Sequence, residues 1–191
     1  MIDNLLIKYA SPTLAGIKTG NLFKVYKSDG INLEKEIENY NILFNPIDLY
    51  LEIIYNCDKY ALIYIYRQKM LVNTLRNTDV LEFLNLYEYN ECFILSHYIH
   101  NLKNRFNMLR STPHEIGIFL GYPLDDVKNF IKYKGSNYKI CGCWKVYNDV
   151  DTCSYKFKMF KISTEIFEYL YDYNYPLDNL SYDNIKFKPL N

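Results

Sequence analysis

Leu49-Tyr50-Leu51-Glu52-Ile53-Ile54-Tyr55, Asn56-Cys57-Asp58-Lys59, Tyr60-Ala61-Leu62-Ile63-Tyr64-Ile65-Tyr66 is the stretch on which the fold turns. Two runs rich in Ile, Leu and Tyr flank four residues suited to a tight turn. β-Branched and aromatic side chains favour a pleated surface, so the stretch reads as a β-hairpin. Each run is too short to cross a bilayer.

Working outward, most other segments carry helical patterns. Residues 2–9 read as a short apolar helix, and Ser11 to Gly20 as a Pro/Gly-punctuated connection. Residues 21–27 read as a strand, and 31–43 as a helix with Leu33, Ile37 and Tyr40 on one face. After the hairpin, 67–76 and 78–88 are predicted helical. Residues 91–109 form the clearest amphipathic helix, with Leu95, Ile99, Leu102, Phe106 and Leu109 in one stripe. His97 and His100 lie off that stripe and read as a solvated face. Residues 137–147 alternate like a strand, and a helix is predicted near 151–171. The expected class is α+β, with a small mixed or antiparallel sheet of about three or four strands packed with several helices. Residues 1–172 are expected to form a single domain and 173–191 an irregular tail. Strand order is open, because the hairpin and the strand at 137–147 can pair in more than one way.

Composition narrows the function classes. Lys plus Arg and Asp plus Glu number 22 each, so the formal charge is zero. Nucleic-acid binding draws most of its affinity from a basic excess, which is missing here. The same balance argues against an anionic membrane surface. The 21 Tyr, 21 Asn, 20 Ile and 18 Lys share AT-rich codons, so genome bias accounts for the Tyr content before function does. No basic, apolar leader opens the chain. Five cysteines, Cys57, Cys92, Cys141, Cys143 and Cys153, read as free thiols of a cytoplasmic protein.

The segment with the sharpest local chemistry is Ser111-Thr112-Pro113-His114-Glu115-Ile116-Gly117-Ile118-Phe119-Leu120-Gly121-Tyr122-Pro123-Leu124-Asp125-Asp126-Val127. Thr112 reads as an N-cap with Pro113 at the first helical position, and Glu115 completes a capping box. Gly121 ends that helix, Pro123 opens a second, and Gly135 closes it. The result is a helical corner at 112–134. A helix-turn-helix reading meets Asp125 and Asp126 where phosphate would lie, which is repulsive. His114, beside Glu115 at a helix start, is a candidate general base. Cys141-Gly142-Cys143 would place two thiols on one strand face. A zinc site needs two further ligands, and the chain has no second Cys pair, so no metal is predicted. No phosphate loop, nucleophile elbow or dinucleotide fingerprint is present.

Three blocks resemble a bacterial family catalogued as domain of unknown function 3793, common in anaerobic Gram-positive bacteria. They are Pro12-Thr13-Leu14-Ala15-Gly16-Ile17-Lys18 with Asn21-Leu22-Phe23; Pro113 to Pro123 with Asp126-Val127; and Trp144-Lys145-Val146-Tyr147. Tyr66-Arg67 before Leu71 is a weaker echo. The resemblance implies no activity. It does mark Lys18, Arg67, His114, Glu115, Tyr122 and Lys145 as motif residues. Relatives often carry Cys at Ala10 and Tyr at Cys143, so the resemblance implies no shared thiol chemistry at either place.

Two expectations follow. In the first, Lys18, Arg67, Glu115 and Lys145 bind a small anionic ligand near the helix starting at Pro113, and His114 or Tyr122 moves a proton in an enzyme. In the second, the chain is a protein–protein interaction or regulatory module without catalysis, with a contiguous aromatic patch and no deep pocket. Cofactor and oligomeric state are open on both.

Overall fold

The computed structural model describes residues 2–27, 32–89 and 93–175. The chain is α+β and divides into two compact units, residues 1–68 with 158–191, and residues 69–157. Among the described residues, no helix is long and apolar enough to cross a membrane.

The first unit is built on the hairpin. Strands β1 (Gly20–Tyr26), β2 (Leu49–Asn56) and β3 (Tyr60–Arg67) form an antiparallel sheet in the order β1-β3-β2. β3 pairs on both sides, with Phe23 and Ile53 both opposite Ile63. That central place explains its continuous apolar run: Ala61, Ile63, Tyr64, Ile65 and Tyr66 are all buried. Helices α1 (Ile2–Leu14) and α2 (Leu33–Phe44) add Leu6, Leu14 and Ile37 to the same core. Asn32 caps α2 by accepting the Lys35 N–H at 3.0 Å. Phe167 completes the core from α8 (Val150–Asp172).

α1 corrects the expectation of a helix ending at residue 9, since it runs through Pro12 to Leu14. A proline in a last turn loses one backbone bond, but the orphan carbonyls beyond it still need donors. Arg67 supplies them, giving Nε to Thr13 O at 2.8 Å and Nη2 to Leu14 O at 2.7 Å. The turn after the helix closes at Gly16, with φ +72°.

The second unit is mainly helical: α3 (Gln68–Leu75), α4 (Thr78–Asn85), α5 (Leu95–Leu109), α6 (Ile116–Phe119) and α7 (Leu124–Lys132). Residues 91 and 92, the opening of the helix expected at 91–109, lie outside the described residues. Ile99, Leu102 and Phe106 of the α5 stripe are buried, whereas Leu109 is exposed where the helix ends at Arg110, φ +50°.

Two further expectations are corrected. No helix starts at Pro113: residues 113–115 form a turn, and α6 is a four-residue helix without a side-chain cap. The capping box fails because Glu115 is drawn inward to pair with Arg105. The single strand expected at 137–147 is instead a small hairpin of β4 (Ile140–Cys141) and β5 (Lys145–Val146). Gly142-Cys143-Trp144 makes its turn, so Cys141 and Cys143 do not share one face of a continuous strand. Residues 176–191, most of the expected tail, lie outside the described residues.

Candidate functional site

The corner between α6 and α7 is tight because two glycines allow it. Gly121 adopts φ +78°, and the Tyr122 N–H reaches back to Gly117 O at 2.8 Å. A Cβ on Gly117 would fall 2.7 Å from Val127 Cγ2, so the helices approach only where a side chain is missing.

Asp126 fastens the β4–β5 hairpin to this corner. It is buried, and its Oδ2 accepts the Trp144 Nε1–H at 2.8 Å while Oδ1 accepts the Tyr147 N–H at 2.8 Å. Gly142 lies against the ring of Phe157, where a Cβ would overlap it. Trp144 stands edge-to-face with that ring at 4.5 Å.

Corner and hairpin line a half-open pocket of about 460 Å³. Ile116, Leu120, Val127, Phe130 and Trp144 give it carbon walls. His114, Tyr122 and Lys145 reach the same space, as do Cys141 and Cys143. Lys145 is half-buried; its Nζ donates to Gly135 O at 2.6 Å and lies 4.9 Å from the Tyr138 ring centroid. Among the described residues no carboxylate pairs with it. The exposed His114 ring meets Phe130 edge-on at 5.2 Å, and Lys145 Nζ lies 5.8 Å from the centroid of that same ring. Two basic side chains therefore adjoin one aromatic wall.

Tyr122 stacks on Trp144 at 4.7 Å and donates its hydroxyl to Cys143 O at 3.2 Å. Burial, with a smaller effect from Cys143, pushes its phenol well above the usual range, so it is a neutral donor at physiological pH. Of the six motif residues, His114, Tyr122 and Lys145 line this pocket and Glu115 does not. Glu115 is buried against Arg105, whose guanidinium lies 4.9 Å from the Tyr87 ring. Lys18 and Arg67 belong to the first unit. Lys18 is buried with its Nζ 5.8 Å from the Phe160 ring, and Arg67 bonds the carbonyls that end α1.

Asp126 lies in the first turn of α7, as its place after Pro123 implies, and the sequence reading missed that it is a buried acceptor. The signal was present: a packed Trp needs an acceptor for its indole N–H, and Trp144 is the only Trp. Cys57, Cys141 and Cys153 are free thiols. Among the described residues, no three metal-capable side chains converge.

Fold and site together define a small α+β protein carrying a carbon-walled pocket with a basic edge. The chain belongs to the family described as Protein of unknown function (DUF3793), whose sequence model matches residues 6–181. No curated protein and no solved structure matches the chain.

Proposed function

We propose that this protein binds a small anionic molecule in the pocket between the α6–α7 corner and the β4–β5 hairpin. The observation that carries the reading is the meeting of two distant motif blocks, Pro113–Val127 and Trp144–Lys145, in the walls of one cavity. Its volume of about 460 Å³ falls in the range of small-molecule sites. Lys145 supplies an amine with donors to spare, and the exposed His114 imidazole stands nearby. In a catalytic form of this reading, His114 moves the proton, because Tyr122 is held neutral and already donates to Cys143 O. The free thiols of Cys57, Cys141 and Cys153 suit a reducing compartment, and we place the protein in the cytoplasm.

The interaction-module reading draws on exposed tyrosines such as Tyr26, Tyr155 and Tyr169. A well-formed pocket favours ligand binding over it. A thermal-shift screen of carboxylates, phosphorylated metabolites and nucleotides decides between them, since a ligand of the folded state raises Tm by mass action. The reading expects at least one anion to raise Tm in a concentration-dependent way. A flat screen with a dimer in native mass spectrometry would replace it with the interaction module.

A further inference from the structure

Resting on that reading, we infer that the ligand is a hydrophobic monocarboxylate rather than a phosphorylated metabolite or nucleotide. Most polar groups in the pocket wall are already committed to one another. Asp126 has committed one oxygen to Trp144 Nε1 and the other to Tyr147 N. The indole N–H is used in the same bond, and the Tyr122 hydroxyl goes to Cys143 O. What remains for a ligand is chiefly Lys145, which gives Gly135 O one of its three donors, with the exposed side chains of Thr112 and His114.

One lysine charge matches one carboxylate. A phosphate monoester carries close to two charges and three acceptor oxygens, and stripping its hydration requires several donors. A helix amino terminus often supplies them, but α6 has four residues and offers no such field. The rest of the ligand must then satisfy carbon. Ile116, Leu120, Val127 and Phe130 offer no hydrogen-bonding side chains, so hydroxyls or a sugar there would be desolvated without partners. An acyl or aryl tail loses nothing there and gains in proportion to the carbon surface removed from water.

Trp144 makes the test direct, because the only Trp in the chain stands in the pocket wall. The full-length protein is titrated with octanoate, octanamide and AMP while Trp144 emission and Tm are followed. Octanoate is expected to change both and to bind at least about tenfold more tightly than octanamide, the difference one charge-assisted contact supplies. AMP is expected to do neither. Lys145→Met should lose that tenfold preference, and Lys145→Arg should keep it; circular dichroism confirms that both fold. Tighter binding of AMP than of octanoate would overturn the carboxylate assignment and leave the anion site standing. Equal binding of octanoate and octanamide, or an unchanged preference in Lys145→Met, would overturn the assignment and the role of Lys145 together. Silence towards all three, alongside a flat metabolite screen, would overturn the assignment and the ligand-binding reading beneath it.

Discussion

Asp126 keeps a carboxylate inside the protein by giving each oxygen an N–H, one from the Trp144 indole and one from the Tyr147 backbone. Asp126→Ala strands both donors, and each buried orphan costs about 1–3 kcal/mol. The variant should therefore lose about 2–6 kcal/mol of stability in urea denaturation, with Trp144 emission shifted to the red as the hairpin loosens. Normal stability with unshifted emission would show that the two bonds do not hold the hairpin. Arg67 presents the complementary case, a buried cation serving carbonyls. Arg67→Met should destabilise by about 2–4 kcal/mol, and Arg67→Lys should recover only part, because an ammonium lacks the forked geometry. Full recovery with Lys in the same denaturation experiment would contradict that assignment.

Among the elements, the hairpin at Leu49–Arg67 was readable because its pattern, turn and propensities agree. The turn of helix at Leu124–Lys132 was readable from Pro123 and Gly135. Two elements were not. α1 passes Pro12 because Arg67, 53 residues beyond Leu14, captures its last carbonyls, and no local signal carries that information. The alternation over 137–147 reads as one strand, but Gly142 and Phe157 set a turn in its middle. Gly142→Ala should destabilise by about 1–3 kcal/mol through overlap with the Phe157 ring, measured by thermal denaturation; an unchanged Tm would mean the turn is not seated on that ring. α8 opens with Asp149, which accepts the Thr152 N–H at 3.0 Å. Its bonds to Thr152 hold its carboxyl below the usual range, so this cap contributes stability at neutral pH and loses it as pH falls through the folded-state value. Asp149→Ala should lower Tm at neutral pH, with the gap from wild type closing in acid. A gap that stays constant with pH would rule out the cap as its source.

Across the whole molecule, the six motif residues divide into three that line one pocket and three that do not line it. His114, Tyr122 and Lys145 share a pocket, which their spacing along the chain does not reveal. Two of the others have partners that only coordinates expose: Arg67 bonds the carbonyls that end α1, and Glu115 pairs with Arg105. Zero net charge then acquires a plainer meaning, since the one basic feature the account uses is local to a pocket edge. The central claim is that this pocket is where a ligand sits. A protein with one Trp has one indole N–H resonance, and here it belongs to the pocket wall. In a ¹H–¹⁵N correlation spectrum, saturation with the anion that raises Tm most should move that indole peak together with the amides of Ile116–Val127 and Cys141–Val146. An unmoved indole peak, with shifts confined to the sheet of the first unit, would contradict the account.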